Sequence, residues 1–321
     1  DKNFKNIANK YEFHPLGSQP GEKVYLCNEG YGLIKYKTDR FGFRNKDKIW
    51  ENVEGKNNIL IIGDSFGNGA CVEDEYLPQN ILSDYRIYNL STSSNSAIHY
   101  AALANEFIPK LKPSKVIILW YRNDRYGSPS AIKRNYFNSN NNFSLFKDKG
   151  LVPNELLKDV FDEAEIVTKK ILDDSNNSAR VELRGESLTR IFDGLRRHHK
   201  LPTFRSEIQN FLGSKDFQIG SKSTRFAINL SSNLCKKYDC SIYSVYIPNS
   251  NDWDYDYFSA GYKKFIKNIS ILNNVGFVDL SLIINPDDLE NYAPVGPHFS
   301  IVGYERLSKS LMGIVYETKD E

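Results

Sequence analysis

Residues 57–69 read NNILIIGDSFGNG, and this stretch predicts the fold of the chain. Four consecutive large apolar residues, 59–62, end at Gly63-Asp64-Ser65, and small residues follow. Such a run is typical of a buried parallel strand that delivers a serine onto the tight turn at its carboxyl end, where open α/β sheets place their ligand sites. The backbone N–H of that serine would begin the next helix, where unpaired donors and the helix dipole favour an oxyanion. A serine that only caps the helix fits the same residues.

Three further blocks share this character of a strand that runs into small or polar residues. Residues 88–96 read YNLSTSSNS, residues 116–124 read VIILWYRND, and residues 296–304 read GPHFSIVGY. In this order, the four blocks resemble the SGNH (GDSL-type) esterase and acyltransferase superfamily, over about residues 57–126 and 220–316. The combination is much more specific than any one block, since each block is short enough to arise by chance.

The resemblance implies a flavodoxin-like three-layer α/β/α sandwich with a central parallel sheet. The residue pattern agrees, because short strands alternate with helices, as in right-handed βαβ units. Apolar runs predict strands at 58–63, 86–90, 115–121, 241–247 and 276–280. Helical patterns lie at 73–84, 96–112, 222–238, 257–273 and 300–316.

The alternation of strands and helices divides the chain. We expect residues 57–126 and 220–321 to form the α/β domain and residues 127–219 to form a mainly helical insertion, with helical patterns at 154–174 and 180–198. Residues 1–56 would be an N-terminal leader packed on the core. The leader contains DRFGFRN at 39–45, an Asp-x-x-Gly-Phe-Arg pattern that also resembles bacterial SGNH proteins. For this pattern we favour packing, as an aromatic-rich edge hairpin, over catalysis.

A serine hydroxyl needs a base within hydrogen-bond reach before it becomes a good nucleophile. The resemblance assigns the nucleophile to Ser65 and the base to His298, in the loop before the last helix. Ser300 can cap that helix and so fix the loop. His99 is the competing histidine, but it lies one turn into a helical segment, where a packed or exposed helix histidine is the more common case. We therefore predict a contact between Ser65 and His298.

The developing oxyanion of acyl transfer needs fixed donors. By resemblance, these are the backbone N–H groups of Ser65 and Ser94 and the side-chain amide of Asn123. Serine at position 94 departs from the usual glycine, and a positive φ is less accessible to serine. Tyr121 stands where the family usually has glycine, two residues before Asn123, and should narrow or reshape the acyl pocket. Asn123 as a structural turn residue is the alternative.

In the family that the chain resembles, an Asp usually stands three residues before the catalytic histidine. Here that position is Val295, so the usual acid is missing. Three arrangements remain open: another carboxylate, a backbone carbonyl of the 293–296 loop, or a Ser-His dyad. We favour the carbonyl slightly over a carboxylate. The acidic residues nearby in sequence are Asp287, Asp288 and Glu290, and the spacing selects none of them.

Composition excludes several other classes. The net charge of +2 gives no argument for nucleic acid or an anionic membrane. No apolar run approaches the length of a membrane span, although a signal peptide or anchor upstream of residue 1 would fit a periplasmic or extracellular bacterial protein. The five histidines are too scattered for a metal cluster, so we predict no metal and no cofactor. Cys235 and Cys240 could close a small loop, with ordinary thiols equally compatible.

The function that the sequence predicts is O-acyl ester chemistry, either hydrolysis or transfer of a small acyl group such as acetyl. The expected substrate is a bacterial carbohydrate or surface polysaccharide. A lipid or small-ester esterase is the alternative enzyme, and an inert carbohydrate-binding module on the same scaffold is made credible by Val295. Aromatic residues at expected loop ends would suit sugar stacking: Trp120, Tyr121, Tyr126, Trp253, Tyr255 and Tyr257.

Overall fold

The computed structural model describes residues 16–18, 20–26, 29–32, 34–51, 57–82, 84–126, 166, 214–251, 253 and 259–316. The helical patterns at 154–174 and 180–198 lie outside these ranges, apart from the single position 166. The helical insertion and the domain boundaries therefore stay predictions.

The described part of the chain contains seven strands and six α-helices. The strands are β1 (Lys23–Leu26), β2 (Ile34–Lys37), β3 (Asn58–Ile62), β4 (Arg86–Asn89), β5 (Lys115–Trp120), β6 (Ser241–Tyr246) and β7 (Gly276–Asp279). The helices are α1 (Ser65–Asn68), α2 (Pro78–Ile81), α3 (Ala97–Leu111), α4 (Ser214–Tyr238), α5 (Ala260–Leu272) and α6 (Ile301–Tyr316). Short 3₁₀ helices span Asp47–Trp50, Asp74–Tyr76, Arg122–Tyr126, Leu280–Leu282 and Leu289–Asn291.

Five strands form one parallel sheet in the order β4-β3-β5-β6-β7. This order confirms the predicted flavodoxin-like topology. The chain steps from β3 to β4 on one side and then crosses to β5 on the other side, so the strand order reverses between β3 and β5. Ligands of open α/β sheets bind outside the carboxyl ends of the strands at such a point. Ser65 follows β3 and Asn123 follows β5, so both lie at this crevice.

The sheet is buried on both faces, as the continuous apolar strand sequences predict. The side chains of β3 point alternately into two hydrophobic cores, one on each face of the sheet. Leu60 and Ile62 belong to the core that contains α3, α4 and α5. Ile59 and Ile61 belong to the core that contains α1 and α6. All four side chains are at most 1% exposed. The two separate cores establish the three layers of the sandwich.

One predicted helix is wrong as a continuous element. In place of a helix over 73–84, the chain forms the 3₁₀ turn Asp74–Tyr76 and then the short helix α2. The break has a local cause, because Pro78 lacks an N–H group and disfavours helical geometry in the residue before it. Leu77 accordingly takes extended angles, φ −84° and ψ 146°.

The described residues of the leader contact the α/β domain, and the Asp-x-x-Gly-Phe-Arg pattern packs there, although it follows a hairpin and does not form the predicted edge hairpin itself. β1 and β2 pair as an antiparallel hairpin, and the pattern follows β2. One oxygen of buried Asp39 accepts hydrogen bonds from the backbone N–H groups of Phe41 and Phe43, both at 2.9 Å. The other oxygen accepts from Trp50 Nε1 at 2.8 Å and Asn45 Nδ2 at 2.9 Å. Burial raises the pKa of Asp39, and these hydrogen bonds oppose the rise.

Arg44 connects the leader to α1. Its buried guanidinium donates to the carbonyl oxygens of Asn68, Gly69 and Val72 at 3.2, 2.7 and 2.8 Å. These carbonyls lie at the carboxyl end of α1, where a helix leaves acceptors unpaired and where positive charge is stabilising. The leader therefore helps to fix the short helix that begins with Ser65.

Candidate active site

Ser65 and His298 come together as the sequence predicts. His298 Nε2 lies 2.8 Å from Ser65 Oγ, across 233 residues of sequence. Ser65 opens α1 directly after β3, while His298 lies in the loop before α6. This distance is within the range over which a histidine can accept the proton of a serine hydroxyl.

The loop that carries His298 is held on both sides of the histidine. The His298 carbonyl accepts from Ala293 N at 2.8 Å, and Ser300 N donates to the Asn291 carbonyl at 2.9 Å. Ser300 Oγ also accepts from Gly303 N at 3.1 Å, so Ser300 caps the start of α6 as predicted. The ring of Phe66 packs against the imidazole with a centroid distance of 4.8 Å. The orientation of His298 is therefore set by its surroundings.

The group that meets the second nitrogen of His298 is the carboxylate of Glu29. His298 Nδ1 lies 2.7 Å from Glu29 Oε1, and the backbone N–H of His298 donates to Glu29 Oε2 at 3.1 Å. The preference for a carbonyl of the 293–296 loop is therefore wrong, and so is the Ser-His dyad. A carboxylate holds the imidazole in one tautomer and stabilises its protonated form more strongly than a carbonyl does. Ser65, His298 and Glu29 form a continuous chain of hydrogen-bonding groups.

The three acidic residues near His298 in sequence have other partners. Asp287 accepts from Asn251 Nδ2 at 2.7 Å. Asp288 and Glu290 both bind Arg306, with Asp288 at 2.9 Å. These ion pairs direct both carboxylates toward α6, so proximity in sequence to His298 does not bring them to its ring.

Residues 294–296 are shaped to receive the segment around Glu29. Val295 N donates to the Glu29 carbonyl at 3.1 Å. Gly296 has φ +111°, and a Cβ at this position would lie 2.2 Å from Glu29 Cδ. A Cβ on Gly30 would meet the Pro294 side chain at 2.8 Å. The missing acid at Val295 is thus compensated by a carboxylate that enters beside it, at a place where only glycine leaves room.

Sequence reasoning missed Glu29 because no local signal marks it. The residue belongs to the leader, 269 positions before His298, and it is one of 40 acidic residues in the chain. Gly296 is the available hint, since a glycine near the predicted base can mark a close approach by another group. That hint does not name the group that approaches.

The residues predicted to bind the oxyanion follow the carboxyl ends of β3, β4 and β5, at the same edge of the sheet. Asn123 Nδ2 donates to Asp64 Oδ2 at 3.2 Å, which leaves its second amide hydrogen for another acceptor. The Asp64 carboxylate also accepts from Phe66 N at 3.0 Å. Burial raises the pKa of Asp64, while the hydrogen bond from Phe66, nearby His298 and Asn123 oppose the rise. Asp64 therefore links the turn that carries Ser65 to Asn123.

Ser94 adopts the backbone conformation that the sequence analysis considered less accessible to serine. Its φ is +69°, in the left-handed region that glycine usually occupies. The loop around it is tied to the end of β3, because Thr92 N and Asn95 Nδ2 both donate to the Gly63 carbonyl at 3.3 Å. These bonds fix the loop that presents the Ser94 N–H, and they offset a strain on the order of 1 kcal/mol.

The competing histidine and two of the six predicted aromatic residues have structural positions. His99 is 7% exposed and its Nδ1 accepts from Ser96 N at 3.0 Å, at the start of α3. Trp120 and Tyr121 are buried, whereas Trp253 is 54% exposed. The side chains of Tyr126, Tyr255 and Tyr257 lie outside the described residues.

One group of described side chains has the spacing of metal ligands. A ligand atom of each of Glu29, Cys71 and His298 lies within 4.8 Å of the other two. Cys71 is disulfide-bonded, so its sulfur is not a thiolate, and Glu29 and His298 contact each other. We therefore interpret this group as the surroundings of the Ser65 centre and not as a metal site.

Likeness to known proteins is found among solved structures, at low sequence identity. No protein-family model matches the sequence, and no curated protein matches it significantly. Several solved structures are similar to it. They include a GDSL-like lipase from Bacteroides thetaiotaomicron (8% identity, 81% of this chain and 87% of that chain, TM-score 0.43). The acetylxylan esterase Axe2 from Geobacillus stearothermophilus has 13% identity over 83% of this chain and 97% of its own, with a TM-score of 0.42. The esterase EstA from Pseudoalteromonas sp. has 13% identity over 81% and 96%, with a TM-score of 0.39. The assignment of chemistry rests on the geometry of the site itself.

Proposed function

We propose that the protein is a serine-dependent O-acyl ester hydrolase or acyltransferase of the SGNH type. One observation carries the proposal: the chain of contacts from Ser65 Oγ to His298 Nε2, at 2.8 Å, and from His298 Nδ1 to Glu29, at 2.7 Å. This is the arrangement in which a base activates a nucleophile and a carboxylate orients the base. Valine at position 295 suggested an inert module because the usual acid is missing there, and the carboxylate of Glu29 supplies that acid.

In the proposed mechanism, Ser65 Oγ attacks the ester carbonyl while His298 Nε2 takes the serine proton. Glu29 stabilises the imidazolium that forms. The oxyanion is bound by the backbone N–H groups of Ser65 and Ser94 and by the free amide hydrogen of Asn123. His298 then protonates the leaving alkoxide, which departs and leaves an acyl-enzyme. Water completes hydrolysis by attacking the acyl-enzyme, and a carbohydrate hydroxyl in its place completes transfer.

We propose a small acyl group such as acetyl. The packing of Tyr121 supports this, because its ring lies 4.3 Å from Phe66, which in turn contacts the His298 imidazole. Tyr121 is 6% exposed, and its hydroxyl donates to Asn249 Oδ1. An aromatic ring fixed at both ends cannot move aside easily for a long acyl chain. A lipid esterase would need that space.

We propose a bacterial carbohydrate as the alcohol part of the ester, in the periplasm or outside the cell. The exposed Trp253, on the segment after β6, offers a flat apolar surface of the kind on which sugar rings stack. Cys235 and Cys240 are joined in a disulfide, and Cys71 is disulfide-bonded too. Disulfides persist in oxidising compartments, which supports the location. In the described residues, no helix has the length and apolar character needed to cross a membrane.

The central test is hydrolysis of p-nitrophenyl acetate together with labelling by a serine-reactive phosphonate. We expect turnover, and labelling of the peptide that contains Ser65, in the wild type and in Ser114→Ala. Ser114 is a matched control because its hydroxyl bonds the Asn58 carbonyl at the opposite end of the sheet. Ser65→Ala should lose both signals. Wild-type protein that shows neither turnover nor labelling would refute the enzyme proposal.

Two further experiments distinguish between the possible substrates and between hydrolysis and transfer. Activity should fall from p-nitrophenyl acetate to butyrate and octanoate, whereas a lipid esterase would show the reverse order. Mass spectrometry of an acetylated and a deacetylated polysaccharide, each incubated with the protein with and without an acetyl donor, distinguishes hydrolysis from transfer.

A further inference from the structure

The segment that carries Glu29 does not belong to the main sheet. It lies between β1 and β2, the two strands of the separate hairpin sheet. Among the described residues, its hydrogen bonds to the His298 loop are those of the Glu29 carboxylate and the bond from Val295 N to the Glu29 carbonyl. A charged group on such a segment needs an additional constraint, because a misplacement of about 1 Å can cost about 10²-fold in rate.

Cys71 is placed to supply that constraint. It is 1% exposed and disulfide-bonded, and its sulfur lies within 4.8 Å of ligand atoms of both Glu29 and His298. It also has φ +72°, a conformation that a non-glycine residue keeps only where the surrounding structure holds it. Cys71 follows α1 closely, so a bond from its sulfur attaches another segment to the nucleophile helix.

Within this sequence, one cysteine remains as a candidate for the other half of the bond. The sequence has four cysteines, and Cys235 and Cys240 are bonded to each other. Cys27 is the remaining cysteine, two positions before Glu29 in the sequence. Its placement lies outside the described residues. We propose that a disulfide between Cys27 and Cys71 positions Glu29 against His298. The consequence for rate rests on the proposed ester chemistry, whereas the consequence for the Glu29–His298 contact does not.

Two kinds of measurement test the positioning role. Non-reducing peptide mapping should yield a linked peptide pair that contains Cys27 and Cys71. The low-field proton NMR resonance of His298 Nδ1–H reports its hydrogen bond to Glu29 directly, and Glu29→Gln assigns it. We expect this resonance in the wild type and its loss or marked upfield shift in Cys71→Ser and in Cys27→Ser, which remove the same bond from opposite ends.

Kinetics with p-nitrophenyl acetate should show the same dependence. Cys71→Ser and Cys27→Ser should lower kcat by roughly 10- to 100-fold with KM changed less than about threefold, since Glu29 does not touch the substrate. Adding Glu29→Gln to either variant should cost little beyond the Glu29→Gln loss, because both changes remove one function. The matched control is Cys235→Ser/Cys240→Ser, which removes the other disulfide and should keep both the resonance and kcat.

Several results would overturn the proposal. A free thiol at Cys27 in the native protein would do so, as would a His298 resonance that is unchanged in folded Cys71→Ser and Cys27→Ser. Equal loss of kcat in the Cys235→Ser/Cys240→Ser control would show a general effect of disulfide loss on stability. Wild-type protein that shows the resonance and the linked peptides but no turnover would instead refute the proposed function and leave the positioning role supported.

Discussion

Replacing Glu29 by glutamine is the most direct test of how His298 is oriented. Glutamine has nearly the shape of glutamate but no charge, and its amide can present N–H groups to Nδ1, which favours the wrong tautomer of the imidazole. The Glu29 and His298 side chains are each 15% exposed, so solvent replaces the lost interaction only in part. The change therefore removes charge and orientation with little change in packing.

The size of the effect follows from the 2.7 Å separation of Glu29 Oε1 and His298 Nδ1. A carboxylate and an imidazolium at this distance attract each other by about 6 kcal/mol at an effective dielectric constant of roughly 20. In the variant, water solvates the imidazolium and so recovers part of this attraction energy. A net loss of about 3–4 kcal/mol in the transition state corresponds to a fall of roughly 10²- to 10³-fold in kcat.

The assay is steady-state hydrolysis of p-nitrophenyl acetate, with thermal unfolding measured on the same preparations. We expect kcat and kcat/KM to fall together, because the interaction is made in the transition state. Asp288→Asn is the matched control: it neutralises a carboxylate that is closer to His298 in sequence but binds Arg306, and it should keep kcat. Val295→Asp should gain nothing, since the Val295 side chain is 58% exposed and Glu29 already occupies Nδ1. Glu29→Gln with kcat within about threefold of the wild type, or an equal loss in Asp288→Asn, would refute the reasoning.

Three further predictions concern residues around this centre. Asn123→Ala should lower kcat by roughly 10²- to 10³-fold as an oxyanion donor, and a variant that keeps its turnover but unfolds more easily would show Asn123 to be structural. Ser94→Gly should keep kcat within about threefold, because the backbone N–H is unchanged, whereas a loss of about tenfold or more would assign a role to the hydroxyl. Burial raises the pKa of Asp124 well above its usual range, with nearby Asp64 adding to the rise. Above about pH 4, Asp124 therefore keeps its proton in the folded state and loses it in the unfolded state. As the pH rises from about 4 toward the pKa of Asp124 in the folded state, this difference lowers the free energy of unfolding. Denaturant titrations at several pH values measure the free energy of unfolding, and in Asp124→Asn this free energy should lack the contribution of Asp124, which is at most about 1.4 kcal/mol per pH unit. If the pH dependence of the unfolding free energy is the same in the variant and the wild type, the raised pKa of Asp124 is contradicted.

The parts of the fold that the sequence predicts are those with local signals. The apolar runs of β3 and β5 end in Gly-Asp-Ser and Asn-Asp, and the ends of parallel strands meet at one edge of the sheet, so Ser65 and Asn123 could be placed together. His298 was identified by its flanking residues. Pro78 is a local signal too, and it interrupts the helix expected over 73–84.

The acid could not be predicted in the same way. Glu29 reaches His298 through the path of the leader over the domain, and that path depends on tertiary contacts such as those of Asp39 and Arg44. The left-handed conformation of Ser94 has a similar origin, since bonds from its loop to Gly63 offset a local preference. Both cases show tertiary structure overriding what neighbouring residues indicate.

The spacing of Glu29, Ser65 and His298 along the chain has a consequence for folding kinetics. Loops that close over long sequence separations form slowly, because their closure entropy must be overcome before the contacts can stabilise them. Residues 29 and 298 must meet before the proposed centre is complete, whereas β3, β4 and β5 can assemble within about 60 residues. During refolding from denaturant with the disulfides intact, ellipticity should therefore recover before esterase activity does. The interval between the two signals would time the encounter of the leader with the loop that precedes α6.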